Sequence, residues 1–465
     1  MDGSPAGNLD GSLDGGDGMR PYTGGDRAIE AVERALAGAA GADEAEAFLA
    51  VRSGEYTRFA GERIHQAQDI VERQLMVRVV VDGRTARAAT SRIEEPETAA
   101  RAALELARGG ARGACGVARA RPYPEPDLWH ADVEEWDAAA RSAEAAHVIG
   151  EARAAGAGAY GMFGRAVTEL AVAGTGGVRA YAAATEASGA LTVKAGEGSS
   201  YWCDLGRSAR ALGLREAASR TVAEAARARR PVELPDGVHD VVLGPIAAGE
   251  LLHFFGAFGF TGQALSAGVG AVARTPGEPV AAPCVTVADD ALAGVGLPFP
   301  FDIEGTPKRR VGFLTGGRVG EAVTDLATAA ELGVPSTGHA HIAREESPLA
   351  IPANLVMAPG TTPHEELVAG VERGVYVQRF WYTRVVDPGR TTITGVSRDG
   401  CFLIENGRIT RPVAGKRFTE SVFGLLSRVD AVGDTLATQP LMNVWNGAAT
   451  APALRVRGFR FGPRP

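Results

Sequence analysis

A break marked by proline and glycine near the middle of the chain, at Pro231, Pro235 and Gly237, most constrains its fold. Proline fixes φ and removes a backbone donor, so such a cluster separates regular elements. Before the break, helical periodicity alternates with strand-like segments. After it, short strand-like segments between turn residues dominate. We therefore predict an α+β fold in which an N-terminal α/β domain (26–230) precedes a C-terminal β-rich domain (231–465), largely antiparallel and barrel-like, with a few helices.

The N-terminal half begins with a segment, 1–25, that is rich in Gly, Asp and Ser and poor in large apolar residues. Such a composition cannot bury enough surface to offset chain entropy, so this tail is predicted to be disordered. Helical periodicity starts near Asp26, and Ala45–Val51 is predicted to be a strand that ends in a polar turn at Ser53–Gly54. Asp82–Gly83 predicts a hairpin turn between two further strands.

Charge and cysteine usage exclude several classes of protein. The net charge is -8 and no five-residue basic run occurs, which argues against nucleic-acid binding. The four cysteines are far apart and share no CxxC spacing, as is typical of free thiols in a reducing cytoplasm. We expect a cytoplasmic protein, because neither a signal peptide nor an apolar run of about 20 residues is present.

Several motifs together resemble those of the TldD/PmbA family of bacterial peptidases, from about residue 26 to residue 460. Their order and spacing carry the resemblance, since no single motif is specific. They are Thr57-Arg58-Phe59-Ala60 with Ile64-His65-Gln66, Phe301-Asp302-Ile303-Glu304-Gly305, Ser336-Thr337-Gly338-His339, Pro352-Ala353-Asn354-Leu355, and Gly395 with Arg398-Asp399-Gly400.

The resemblance implies a metal site that this chain has lost. Catalytic members of the family carry His-Glu-x-x-x-His on a helix and a Cys near the C-terminus, which hold zinc and activate water. Here His253 stands at the first His, Phe254 at the Glu, Phe258 at the second His and Asn446 at the Cys. A phenyl ring offers a metal no lone pair, so we expect neither a metal nor a catalytic residue in this chain.

The departure places the chain with the PmbA (TldE) branch of the family. The resemblance then implies a heterodimer in which a TldD-like subunit holds the zinc. In this hypothesis both chains enclose an unfolded peptide, which is held as an added β-strand. Two alternatives stay open. One is a self-contained hydrolase of altered chemistry that reuses the cavity in a specialised pathway, and the other is a peptide-binding protein without a catalytic partner. Neither nucleic acid nor membrane is an expected partner.

The remaining candidate residues each have a structural and a functional interpretation. His253 is either a packed vestige or a contact for substrate or an unusual metal. His339 and His341 form a His-x-His that could bind a metal, but His339 stands at the Asn of the family turn and could hydrogen-bond backbone there. Further candidates for contact with substrate or cavity are Asp302, Glu304 and Asn354, and an aromatic segment that is predicted to be core or groove wall comprises Tyr376, Phe380, Trp381 and Tyr382.

Overall fold

The computed structural model describes residues 23–112, 115–342, 348–442, 444 and 446–462. Most of the predicted tail, 1–22, therefore lies outside the described residues. The first described helix starts at Gly25, close to Asp26, where the sequence predicts that helical periodicity begins. The N–H groups of Thr23 and Gly24 donate to the Glu169 carboxylate. None of the helices in the described ranges is long and apolar enough to cross a bilayer.

The described residues of the N-terminal half form a seven-stranded antiparallel sheet with the strand order β4-β3-β2-β1-β5-β6-β7. The strands are β1 (Glu44–Ala60), β2 (Arg63–Val81), β3 (Arg84–Thr90), β4 (Ala111–Arg112), β5 (Gly158–Gly174), β6 (Arg179–Ala195) and β7 (Gly198–Gly206). The helices of this half are α1 (Gly25–Gly38), α2 (Glu97–Ala107), α3 (Ala131–Glu135), α4 (Ala138–Ala154) and α5 (Leu214–Arg227).

Alternation along β1 explains how this sheet is covered on both faces. Leu49 and Val51 point to one face and join the core formed with helices α1 and α2. Phe48 and Ala50 point to the other face. There they pack against Phe299, Phe301 and Ile303, which come from the second half of the chain. The loop that carries the Phe-Asp-x-Glu-Gly motif thus fills the face of the sheet that the helices leave open.

The turn predicted at Ser53–Gly54 is wrong, because β1 continues through it to Ala60. Gly54 is paired with a neighbouring strand on each side, opposite Ile70 of β2 and Ala166 of β5. A side chain at this position would clash with the ring of Tyr56. Glycine is therefore favoured here by a close approach within a strand and not by a turn.

One part of this sheet keeps an open edge. β3 pairs with only Leu75–Val81 of β2, so the second edge of Arg63–Gln74 has no partner among the described strands. These residues are largely exposed on both faces. In the hairpin formed by β1 and β2, this part of β2 therefore has one unpaired edge, and Ile64, Ile70 and Val71 are exposed on it.

The described residues of the second half form a larger, mostly antiparallel sheet. Its strands are β8 (Gly237–Leu243), β9 (Val287–Asp289), β10 (Val311–Thr315), β11 (Arg318–Val319), β14 (Asn354–Met357), β15 (Arg373–Asp387), β16 (Thr392–Glu405), β17 (Arg408–Pro412), β18 (Arg417–Ser421), β19 (Val429–Pro440) and β20 (Ala448–Phe461), and the short pair is β12 (Ala340–Ile342) and β13 (Pro348–Ala350). The helices are α6 (Pro245–Gly259), α7 (Gly262–Ser266), α8 (Gly270–Arg274), α9 (Leu326–Leu332), α10 (His364–Ala369) and α11 (Val422–Leu426).

Part of the second sheet closes on itself, as the predicted barrel-like architecture requires. β20 pairs with β18, β18 with β16, β16 with β15, β15 with β8, and β8 again with β20. The interior of this half is a large apolar core that includes Phe255, Phe313, Phe418 and Phe459. The α+β fold class predicted from the sequence is confirmed, whereas the boundaries of independently folding domains stay a prediction.

The two sheets meet along β7, at the edge strand of the first sheet. The side chain of Gln378 donates to the carbonyl of Tyr201 (3.1 Å), and the backbone N–H of Thr438 donates to the Asp204 carboxylate (3.1 Å). The hydroxyl of Ser199 donates to the Asp399 carboxylate. The junction is therefore polar along this strand and apolar around Phe299 and Phe301.

Candidate functional site

Helix α6 carries the remnant of the family's metal motif. Pro245 occupies its first turn, where a missing N–H costs nothing, and the helix is apolar nearly all round because it is packed inside the second half. His253 is half-buried on it, and its ring meets the Phe254 ring edge-on at 4.9 Å. Burial lowers the pKa of His253 to about 4, so this imidazole is neutral near pH 7.

Phenyl rings fill the positions next to His253. Phe254 is only 4% exposed and belongs to the large apolar core. Phe258, one turn further along, is half-buried against the same core. Both rings contribute to packing, and neither can accept a proton or bind a cation through a lone pair.

Glu250 is an ionisable neighbour that sequence reasoning missed. It lies three residues before His253, so the two side chains share one face of α6. Burial raises the pKa of Glu250, and the charges of Arg379 and Arg384 oppose that shift. The three-residue spacing is visible in the sequence, but Glu250 lies outside the positions of the family's motif, which begin at His253.

Asn446, at the position of the family's Cys, lies in the connection between β19 and β20. Its φ is 50°, a left-handed conformation that Asn tolerates better than most residues. Its side-chain oxygen is buried and has no hydrogen-bond partner among the described residues. Within the described ranges, no three His, Cys, Asp or Glu side chains come together in a group that could hold a metal. The donors at these positions therefore do not fit a catalytic zinc site, which needs about three protein ligands.

His339 forms a buried pair with Asp289, a residue the sequence did not single out. Nε2 of His339 donates to Oδ1 of Asp289 over 3.0 Å, and both side chains are fully buried. Burial would raise the pKa of Asp289, but His339 and the backbone N–H groups of Ala353 and Asn354 hold it down at about 2. Burial lowers the pKa of His339, and Asp289 opposes that shift.

Asn354 completes this buried polar network. Its side-chain oxygen accepts the N–H of Leu297 (2.8 Å), and its side-chain nitrogen donates to the carbonyls of Asp290 and Val295. His341, also a candidate, is 7% exposed in β12. The structure therefore brings His339 and Asn354 together around Asp289, in the interior of the chain.

Asp302 and Glu304 shape the loop that covers the first sheet. Oδ1 of Asp302 accepts the N–H groups of Glu304 and Thr306, and Oδ2 accepts the N–H of Ala340 (2.8 Å). Burial raises the pKa of Asp302 to about 7 despite these bonds. Glu304 accepts the N–H of Leu326 at the start of α9. Their contact with a substrate stays a prediction, since both carboxylates are buried against their own chain.

An ion pair beside Glu304 was also missed. Arg78 of β2 makes two hydrogen bonds with the carboxylate of Glu46, at 2.6 and 2.9 Å, and both side chains are buried. Burial and then the charge of Glu46 raise the pKa of Glu304 well above its ordinary value. The two residues are 32 positions apart, so only the pairing of β1 with β2 brings them together.

The two-sheet α+β frame and the degenerate helix α6 define a metallopeptidase-like protein, and comparisons with known proteins agree. A model of the PmbA/TldA metallopeptidase C-terminal domain matches residues 236–463, and a model of domain 1 of the same family matches residues 45–107. Together these models cover more than half of the chain. The chain belongs to the PmbA/TldD family.

Curated relatives and solved structures extend this result. A Methanothermobacter thermautotrophicus metalloprotease is 27% identical over 223 residues, 47% of this chain and 48% of that protein. A Haemophilus influenzae metalloprotease TldD homologue is 28% identical over 209 residues, 44% of this chain and 42% of that protein. The chain thus spans less than half the length of these curated relatives.

Two solved structures show the fold over nearly the whole chain. TldE from Thermococcus kodakarensis is 20% identical with a TM-score of 0.84, covering 93% of this chain and 100% of that one. A Thermotoga maritima protein described as a putative modulator of a DNA gyrase is 20% identical with a TM-score of 0.81, covering 92% and 99%.

Proposed function

We propose that this chain is the non-metal-binding subunit of a heterodimeric TldD/TldE-type metallopeptidase. In this role it encloses and holds unfolded peptides, which a TldD-like subunit cleaves with its own zinc. The observation that carries the proposal is the packing of Phe254 and Phe258 at positions where catalytic relatives place a Glu and a His. An apolar core at this point supports a structural use of α6.

The chemistry left on α6 supports the same role. His253 is held neutral by burial, and Glu250, whose pKa burial raises, is the ionisable group that shares its face of the helix. One imidazole next to one acid lacks the third ligand that catalytic zinc needs. A complex of the two subunits requires only one metal centre, so the loss of this one leaves hydrolysis to the TldD-like subunit.

The free edge of β15 offers a way to hold an extended peptide. β8 pairs with β15 only from Gly374 to Val377, so the same edge of 378–387 has no partner among the described strands. A peptide added there would be held by main-chain hydrogen bonds, which are blind to sequence. The four free cysteines support a reducing cytoplasm as the place where this happens.

Co-expression with a metal-bearing relative tests this proposal. We expect a one-to-one complex by size-exclusion chromatography, with one zinc per complex and cleavage of unfolded peptides. The lone chain is the control and should contain no stoichiometric zinc and cleave nothing. A lone chain that holds zinc and hydrolyses peptides would support the self-contained hydrolase instead.

A further inference from the structure

Five side chains of β15 and β16 form a basic and aromatic ridge beside helix α6: Arg379, Trp381, Tyr382, Arg384 and Arg398. We call this group the arginine–aromatic ridge. Trp381 is 49% exposed and Tyr382 is 69% exposed, although both belong to a strand. Trp, Tyr and Arg are the residue types that contribute most of the binding energy at protein interfaces.

The ridge is held in place by stacking between rings and guanidinium groups. Arg379 lies 3.7 Å from the ring centre of Tyr201 on β7 and 4.8 Å from that of Trp381. Arg398 lies 5.1 Å from the ring centre of Trp381. Arg384 covers the ring of Tyr382 at 4.5 Å. These contacts fix long side chains before any ligand arrives, which lowers the entropic cost of binding.

The backbone under the ridge is strained. Tyr382 has a φ of 55°, and the pairing of β15 with β16 shifts register between Trp381 and Arg384. A bulky residue in the left-handed region is a conformational outlier, and such outliers concentrate at functional sites. The bulge turns the Tyr382 ring outward, where it gains no burial in return.

The ridge carries an excess of positive charge on an acidic protein. Asp399 lies 3.4 Å from Arg379 and 3.2 Å from Arg398, so one carboxylate serves two guanidinium groups. Arg384 donates to the carbonyl of Thr383, and no described carboxylate lies within ion-pair distance of it. The charge of Arg384 also acts on Glu250 of α6, where it lowers the pKa of that carboxyl. Arg384 thus remains available at the surface, and Arg398, whose side chain is 41% exposed, shares Asp399 with Arg379.

We propose that the arginine–aromatic ridge binds aspartate and glutamate side chains of an unfolded peptide, and so gives the enzyme a preference for acidic substrates. This inference rests on the proposed function and names the substrate class that this chain selects. Guanidinium groups pair with carboxylates in planar, two-bond geometry, and the flanking rings cover the apolar parts of the peptide. The free edge of β15, 378–387, supplies the main-chain contacts along the same segment.

The position of the ridge fits this use. The ridge residues Arg379 and Arg384 lie close enough to Glu250 of α6 for their charges to lower the pKa of that carboxyl. Tyr201 brings the edge strand β7 of the first sheet to the same place. A peptide on the ridge therefore lies where both sheets meet beside the degenerate helix. A nucleic acid is the less suitable ligand, because the unpaired edge of β15 offers main-chain hydrogen bonds that match a peptide backbone and not a sugar–phosphate backbone.

Peptide binding to the complete chain tests the inference directly. Three labelled, unstructured peptides differ only in Glu, Gln or Lys at alternate positions, and fluorescence anisotropy measures their Kd. We expect the Glu peptide to bind about tenfold tighter than the Gln peptide at low salt, with a preference that falls as salt rises. The double variant Arg384→Ala/Arg398→Ala should lose that preference. Arg179→Ala/Arg215→Ala, which removes two exposed arginines that pair with Glu33 and Glu144 in the first half of the chain, is the matched control.

A variant of the strained residue separates binding from folding. Tyr382→Gly removes the ring and suits a positive φ, so the unfolding midpoint should stay equal or rise. Affinity for the Glu peptide should nevertheless fall about threefold or more. Equal affinity of the Glu and Gln peptides for the wild-type chain would overturn the inference, and so would tighter binding of a single-stranded oligonucleotide to the same arginines.

The complex with a metal-bearing subunit distinguishes failure of this inference from failure of the proposed function. If the complex forms and cleaves Glu and Gln peptides at equal rates, the ridge has no role in selection and the partner role stands. If no complex forms but the lone chain binds Glu peptides through Arg384 and Arg398, the partner role fails and the ridge remains an acidic-peptide site.

Discussion

His253 shows how burial changes the role of a side chain that family resemblance marks as a ligand. Its imidazole makes an edge-on contact with Phe254, and burial keeps it neutral. His339 shows the opposite outcome, because Asp289 and the Thr337 hydroxyl give its ring two polar partners. His253 therefore has an aromatic neighbour and His339 has polar partners, and the effect of each environment on stability can be measured.

Protonation of His253 should make stability depend on pH. Its pKa is about 4 in the folded chain against about 6.5 for an ordinary histidine, so the unfolded chain binds more protons between these values. Stability is then lost as pH falls through this window, by about 2 kcal/mol between about pH 7.5 and pH 5. Urea unfolding at both pH values should show this loss in the wild type and a smaller loss in His253→Gln. The control His65→Gln leaves His253 in place; an unchanged pH dependence in His253→Gln would contradict the prediction.

Removal of His339 should leave Asp289 buried with one partner fewer. We expect His339→Ala to lower the free energy of unfolding by about 3–5 kcal/mol, because a buried carboxylate would lose its imidazole. His339→Asn keeps a donor at this position and should lose less. Guanidinium unfolding of the three proteins checks the order, and a His339→Ala variant as stable as the wild type would show that the pair contributes nothing.

Contacts between distant residues limit what the sequence predicts at this scale. The positions of His253, Phe254, Phe258 and Asn446 follow from motif spacing. The partner of His339 does not, because Asp289 is 50 positions away and is followed by an ordinary-looking Asp290. Its importance comes from complete burial, which only the three-dimensional packing of β9 against β14 creates.

Among the elements, helix α6 shows how apolar packing limits which side chains the positions of a motif can accommodate. The helix packs against β15, β19 and β20, and Phe255 on it contacts Phe260 and Phe423 through ring pairs at 4.7 and 5.3 Å. A helix enclosed in this way tolerates few polar groups.

Restoring the family's acid on α6 should therefore be destabilising. Phe254→Glu places a carboxylate at a 4% exposed position and removes a packed ring, which should cost about 3–5 kcal/mol. Phe258→His, at a half-buried position on the same helix, is the matched control and should cost clearly less. Thermal and urea unfolding measure both. A Phe254→Glu variant with wild-type stability would mean that this position opens into a polar cavity.

Periodicity predicted most elements well, and its failures have physical causes. The hairpin at Asp82–Gly83 and helix α6 lie close to where the sequence placed them. The sequence predicts too short a β1, because Ser53–Gly54 has the composition of a turn. Pairing on both sides of the strand overrides that local preference. The closure of β8 on β20 is likewise invisible in sequence, since it joins strands about 200 residues apart.

At the scale of the whole molecule, the two halves share one interface with an apolar and a polar part. Phe299 and Phe301 of the second half pack under the first sheet. Arg207, 6% exposed, donates to the carbonyls of Thr185 and Pro298, at 3.0 and 2.7 Å. Because core residues of both halves are mixed, we expect the halves to unfold together.

Arg207→Ala tests this coupling. Loss of two charge-assisted hydrogen bonds to carbonyls should cost about 2–3 kcal/mol and expose the loop before Phe299 to proteases. Limited proteolysis and urea unfolding measure the two effects. Ser199→Ala, which removes one hydrogen bond at the same junction, is a milder control. If Arg207→Ala unfolds in one transition with the same urea midpoint as the wild type, Arg207 does not couple the halves.

The edge of β2 that has no partner among the described strands affects the tendency of this protein to aggregate at high concentration. Over Arg63–Gln74 the chain presents backbone groups that any extended polypeptide could pair with, and it places Arg63, Asp69, Glu72 and Arg73 among them. Charges of both signs at such spacing penalise most registers of self-stacking, so we expect them to disfavour edge-to-edge polymerisation of the chain.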